Sequence, residues 1–202
     1  MFARKESFSV FISLYPATTA IVFIQALFFI AIQFPGIGES LLNMLIGANL
    51  SISEGEYWRL ASPIFLHASF PHFMFNTLST LILAPALELM LKQFRFIMLY
   101  MACGIGANVF TFLLLPAQYI HLGASGAIYG LIGFYVSISF LQSSLISKQD
   151  NKLIKALALI GFIVTFIQPN VNAVAHISGF LIGFAVSLPF IKTSTRDYPY
   201  HL

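Results

Sequence analysis

The sequence predicts an all-α integral membrane domain: six spanning helices in one bundle, with both termini on the cytoplasmic side. Three observations carry that prediction. Of 202 residues, 58% are hydrophobic and only 8% charged, with a mean hydropathy of +0.88, whereas soluble domains carry about 25% charged residues. Apolar segments approaching the roughly 20 residues that cross a bilayer recur six times. Nine of the ten Lys and Arg residues then fall on one side of the resulting topology. One bundle accounts for residues 1–202 as a single domain. The net charge of +3 is too small to suggest a nucleic-acid partner; the lipid bilayer is the expected surrounding.

The first span covers 14–34. Arg4 and Lys5 ahead of it give it the look of a signal peptide, but its length and the lack of a small-residue cleavage site predict a retained helix. A long first loop, 35–69, follows. It mixes Glu39, Glu54, Glu56 and Arg59 with apolar runs such as Leu41, Leu42, Met44, Leu45 and Ile46, a pattern that predicts short amphipathic helices in the interface rather than a free linker. The second span covers 70–90, with Pro63 and Pro71 shaping the chain's approach to it. Spans three and four cover 95–116 and 124–143. Spans five and six, 153–168 and 171–191, are separated by Gln168-Pro169-Asn170, a turn that divides a run too long for one helix. Thr193 to Leu202 is expected to be a loose cytoplasmic end. Cys103 is the single cysteine, so no intrachain disulfide can form.

Basic residues set the orientation. Arg4 and Lys5 precede span one, Lys92 and Arg95 lie between two and three, Lys148, Lys152 and Lys155 between four and five, and Lys192 and Arg196 after six. Cytoplasmic loops concentrate Lys and Arg, and Arg59 is the lone exception. Spans two, four and six therefore run inward from the outer face.

That direction brings four polar side chains to one depth. His72 and Asn76 lie near the start of span two, Ser125 near the start of span four and His176 early in span six; at 1.5 Å per residue His176 sits about 9 Å below Asn170. Polar side chains at membrane depth are costly and mark functional sites by default. Gly126 and Gly130 on span four, with Gly179 and Gly183 on span six, are small-residue pairs that let two helices pack closely. Such packing would put the Ser125 hydroxyl within reach of the His176 imidazole, the arrangement that activates a serine nucleophile. A buried imidazole with no carboxylate beside it stays neutral and able to accept a proton. No Asp or Glu lies near the starts of these spans, so the expected unit is a dyad. The backbone N–H of Ser125 at a helix start, and the side chains of Asn76 and His72 one turn apart, are candidate donors to an oxyanion.

In this order the motifs resemble the rhomboid family of intramembrane serine proteases. The resemblance runs from Trp58 to Gly183. It comprises Trp58-Arg59, the stretch from His67 to Asn76 with His72-x-x-x-Asn76, Glu88, Gly123-Ala124-Ser125-Gly126 with Tyr129 beyond it, and Ala175-His176-x-x-Gly179. The resemblance implies that Ser125 is the nucleophile, His176 the general base, and Asn76 and His72 the oxyanion-stabilising side chains. It further implies that Tyr129 packs on the catalytic histidine, that Gly123 and Gly126 flank the nucleophile, and that Gly179 lets span six approach span four. His67 matches a histidine near the active-site mouth, and Trp58-Arg59 a structural part of the first loop. The implied substrates are single-span membrane proteins, cut in or near their spanning segments in a bacterial inner membrane, with no cofactor and no metal.

Three other readings compete: a non-catalytic membrane scaffold on the same fold, a small transporter or channel, and a metal site built from His67, His72, His121 and His176. The scaffold would be expected to lack the serine or the histidine. A transporter would carry polar groups through the midplane or show repeated halves. The metal site lacks a carboxylate-rich or His-Glu-x-x-His pattern.

Overall fold

The computed structural model describes residues 2, 5–143, 146–169 and 171–197. Arg4, Asn170 and residues 198–202 of the expected loose tail lie outside the described residues.

Helix α1 (Phe8–Leu14) and helix α2 (Pro16–Ala31) meet at a bend of 107°. The bend follows from Pro16 at the first position of α2. Its ring disfavours helical geometry at Tyr15, which takes φ −127° and ψ 57°. The first predicted span thus begins two residues later than its pattern suggests, and α1 points away from it. Helices α5 (Phe70–Leu91) and α6 (Gln93–Leu114) are joined by Lys92 alone, at φ +64°. Both are long and apolar enough to cross a membrane, and the bent α1–α2 pair counts as a third candidate; α7 (Ser125–Leu141) and the Ala173–Pro189 part of α9 (Ala173–Asp197) are shorter apolar helices. Helix α8 (Lys148–Ile167) starts before its predicted span, because Ser147 caps it by accepting from the Asp150 N–H at 3.0 Å. Helix α9 continues through Asp197, so residues 193–197 are helical where a loose end was expected.

Helix α7 is the axis of the bundle. Its residues from Gly126 to Ser139 are buried, and it packs against α5, α6, α8 and α9. Helices apolar all round belong in such central positions.

The first loop is structured. It forms α3 (Ile37–Leu45), β1 (Gly47–Ala48), α4 (Asn49–Ser53) and two 3₁₀ turns at Tyr57–Leu60 and Ser62–Phe65. β1 pairs antiparallel with β2 (Ile120–His121), Gly47 opposite His121; otherwise the described fold is all-α. Arg59 is buried here rather than solvated. Its Nη1 donates to the carbonyls of Asn43 (2.7 Å) and Ile46 (2.8 Å), and its Nε to the Glu56 carboxylate. Trp58 Nε1 donates to the Met44 carbonyl and Ser62 Oγ to that of Leu45. The carbonyls at the end of α3, which a helix cannot satisfy internally, are therefore all taken up by the Trp58–Ser62 segment. This explains the single basic residue that departs from the charge asymmetry. Asn49 and Asn108 tie the loop to α6, donating to the Pro116 carbonyl at 3.0 Å and the Leu60 carbonyl at 2.9 Å respectively.

Candidate active site

Ser125 is the first residue of α7, half-buried, at the end of the Gly123-Ala124 approach. Gly123 has φ +124°, a conformation that favours glycine. A Cβ there would also lie 2.7 Å from His72 Nε2. The His72 ring is therefore laid directly against the backbone that delivers the serine. The Gly123 N–H donates to the Pro63 carbonyl at 2.9 Å, so the structured first loop fixes this approach. The first turn of α7 has no side-chain cap, and the Ile128 N–H bonds the Ala124 carbonyl. The N–H groups of a first turn have no partner within their own helix, and their dipole favours an anion there.

Helix α9 brings His176 alongside. A Cβ on Gly179 would run into the Gly126 carbonyl oxygen, and one on Gly183 into that of Gly130. The two backbones are in contact through the glycine pairs seen in the sequence. The His176 ring stacks on Tyr129, centroids 3.9 Å apart and planes at 16°, as the resemblance implied. Asn172 sets the start of α9: its Oδ1 accepts from the Ala175 N–H, and its Nδ2 donates to Thr111 Oγ1 on α6, both at 2.9 Å.

The structure thus groups His72 with Gly123, Gly126 with Gly179, and Tyr129 with His176. Among the described residues no hydrogen bond joins Ser125 to His176, whose ring is bonded through Nδ1. Catalytic hydrogen bonds often tighten only when substrate is bound. Asn76 is turned back along its own helix, with Nδ2 donating to the His72 carbonyl at 2.9 Å; its second amide proton is unused by that bond.

The imidazole is held by a residue that sequence reasoning missed. His176 Nδ1 lies 2.8 Å from Thr165 Oγ1 on α8. Tyr129 Oη lies 2.7 Å from the same Thr165 oxygen and donates to the Gly161 carbonyl at 2.6 Å. The available signal was a Gly161-x-x-x-Thr165 pair, small and polar, one turn apart in the apolar second half of α8.

His67 sits behind the site, 0% exposed, its ring 5.1 Å from that of His72 and 5.6 Å from that of Phe73. Among the described residues neither of its nitrogens has a hydrogen-bond partner, and the same holds for His121 beside Gly47. Burial, with His72 adding to it, lowers the His67 pKa to about 3; burial lowers that of His121 to about 4.

Comparison with known proteins agrees with this architecture. Residues 54–193 match the Rhomboid domain family. The chain is 39% identical over 199 residues to the putative rhomboid protease YdcA of Bacillus subtilis (strain 168), covering 98% of this chain and 100% of that protein. It is 33% identical to the rhomboid protease GluP of the same organism, covering 92% of this chain but 38% of the relative's length. It is 32% identical to RHOMBOID-like protein 5 of Arabidopsis thaliana, covering 78% of this chain and 55% of that protein. With the family matched across most of its length, and a relative aligned nearly end to end, the chain belongs to the rhomboid family.

Proposed function

We propose that this protein is an intramembrane serine endopeptidase, with Ser125 as nucleophile and His176 as general base, acting on single-span membrane proteins. The carrying observation is the stack of His176 on Tyr129, one turn along α7 from Ser125, where Gly126 and Gly179 bring α7 and α9 into contact. Membership of a family with named proteases supports the reaction class. In this reading α2, α5, α6, α7, α8 and α9 are the six spans, and both termini are cytoplasmic. The relatives in Bacillus support a bacterial cell membrane as the location.

The chemistry follows from the residues present. His176 Nε2 takes the Ser125 proton as Oγ attacks the scissile carbonyl, giving a tetrahedral oxyanion. The uncapped first turn of α7, the free amide proton of Asn76 and the His72 ring beside Gly123 are the donors that stabilise it. His176 then protonates the leaving amine, and water hydrolyses the acyl-enzyme with His176 again as base. Peptide bonds inside a helix are shielded and already hydrogen-bonded, so a substrate helix must unwind locally, and helix-weakening residues favour cutting.

The test is cleavage of tagged single-span proteins by purified wild type, Ser125→Ala and His176→Ala, alongside labelling by a fluorophosphonate probe. Wild type should cleave and label, and both variants should fail while keeping their melting temperatures. Turnover by clean Ser125→Ala protein refutes the assignment. Folded wild type that neither labels nor cleaves leaves the scaffold reading in its place.

A further inference from the structure

We infer that Thr165 is a positioning residue for the catalytic base: its hydroxyl accepts the Nδ1–H of His176 and so holds the lone pair of Nε2 toward Ser125. The inference rests on the Ser125–His176 reading above and adds a member to it.

Helix α8 is apolar and largely exposed around this point, with Ile163, Val164, Phe166 and Ile167 all outward. Among its described residues only Ile154 and Thr165 are buried. A hydroxyl that is turned inward from a lipid-facing helix has to be satisfied by protein groups, and Thr165 meets three of them. Its Oγ1 lies 2.9 Å from the Gly161 carbonyl, 2.7 Å from Tyr129 Oη and 2.8 Å from His176 Nδ1. Tyr129 Oη is also 2.6 Å from the Gly161 carbonyl.

Counting protons decides the tautomer. These are four short contacts among two hydroxyls, one carbonyl and one ring nitrogen. If Nδ1 is bare, only the two hydroxyl protons are available, and even with the Tyr129 proton shared between two oxygens one contact, Thr165 to the Gly161 carbonyl or Thr165 to Nδ1, brings lone pairs together. If Nδ1 carries the proton, three protons serve the four contacts. Nδ1–H donates to Thr165 Oγ1, Thr165 donates to the Gly161 carbonyl, and Tyr129 donates to the Gly161 carbonyl and Thr165 oxygens it faces. The tautomer of a neutral imidazole is set by the bond its other nitrogen makes. Here that bond leaves Nε2 as the acceptor, the state a general base needs.

Among the described residues no Asp or Glu hydrogen-bonds His176. Thr165 thus supplies orientation without the negative charge that a carboxylate partner would bring. The stack on Tyr129 fixes the plane of the ring, and Thr165 fixes its rotation within that plane. The third polar member of the site comes from α8, not from the helices that carry the nucleophile and the base.

The test uses full-length wild type, Thr165→Val and Thr165→Ser, reconstituted in bilayer discs and labelled with ¹⁵N-histidine. Two quantities are read: kcat and KM on a fluorogenic single-span reporter, and the His176 nitrogen shifts that distinguish Nδ1–H from Nε2–H. Expected are an Nδ1–H tautomer in wild type and a mixed population in Thr165→Val. In that variant kcat should fall about 10- to 100-fold, the range seen when an orienting partner is lost elsewhere, with KM little changed. Thr165→Ser, which keeps the hydroxyl, should restore both. An Nε2–H tautomer in wild type overturns the inference whatever the variants do. So does Thr165→Val turning over at the wild-type rate, or a fall in kcat that leaves the tautomer unmoved. Wild type that shows the Nδ1–H tautomer but cuts no reporter counts against the protease reading and not against this one.

Discussion

Glu88 on α5 caps the amino-terminal turn of α2 by accepting both the backbone N–H and the hydroxyl of Thr18, at 2.8 and 2.7 Å. Its other oxygen accepts the Ala17 N–H at 2.8 Å. Pro16 has no N–H, and that of Thr19 reaches the Tyr15 carbonyl. Every orphan donor at this helix start is therefore accounted for, by a carboxylate set where the helix dipole favours one. Glu88→Ala should lower stability by about 3 kcal/mol, the upper range for losing bonds to a charged acceptor. Glu88→Gln should fall between, since an amide retains one acceptor and turns an NH₂ toward donors. Thermal unfolding in detergent checks the order; a Glu88→Ala protein that melts with wild type would show the cap to be energetically idle.

Asn76 separates a catalytic donor from a packing residue. Its one hydrogen bond, to the His72 carbonyl, lies within its own helix, so Asn76→Ala should cost only about 1 kcal/mol of stability. The same change should lower kcat about 10²- to 10³-fold if the amide binds the oxyanion. Rates and melting curves on one preparation decide it: a large loss of stability with rates intact would make Asn76 structural.

Gly179 is where α7 and α9 touch. An added methyl would collide with the Gly126 carbonyl oxygen, a backbone atom that cannot swing aside. Gly179→Ala should cost about 1–3 kcal/mol, as overpacked sites do. It should also slow cleavage, because α9 can relieve the clash only by carrying His176 away from α7. Wild-type melting and turnover in this variant would mean the helices are less closely packed than described.

Acid should destabilise the fold through its buried histidines. The folded-state pKa values of His67 and His121, about 3 and about 4, lie below the unfolded value of 6.5. Below pH 6.5 the unfolded chain binds protons that the folded chain does not. Stability is thus full above that pH and declines as pH falls through 6.5 toward 4 and then 3, each histidine adding a slope of one proton, about 1.4 kcal/mol per pH unit. His67→Leu should flatten the decline by one proton. Denaturation curves between pH 7 and 4 test this, and parallel profiles for wild type and variant would contradict it.

Helix positions were well marked along the chain. The pattern expected a helix over 70–90 and the structure has Phe70–Leu91; it expected 124–143 and the structure has Ser125–Leu141. Two of the edges that moved did so through a local device: Pro16 delayed the start of α2, and the Ser147 cap brought forward that of α8. The glycine pairs were legible too, because a small residue every fourth position is a linear signal for close helix packing. Arg59 was visible as an exception, but not its reason, which needed the fold of the loop around the end of α3.

Apolar length, basic-residue asymmetry and the order of motifs are properties of a line of residues, so an all-α membrane chain, with Ser125 and His176 as its candidate reactive pair, could be read from that line. Which hydrogen bond each polar side chain makes could not. Glu88 reaches Ala17 and Thr18 on another helix, and His176 reaches Thr165, eleven positions away across a turn. Such pairings depend on how far each helix is rotated and slid against its neighbour. The packing of all the helices together settles those quantities, and no local pattern encodes them.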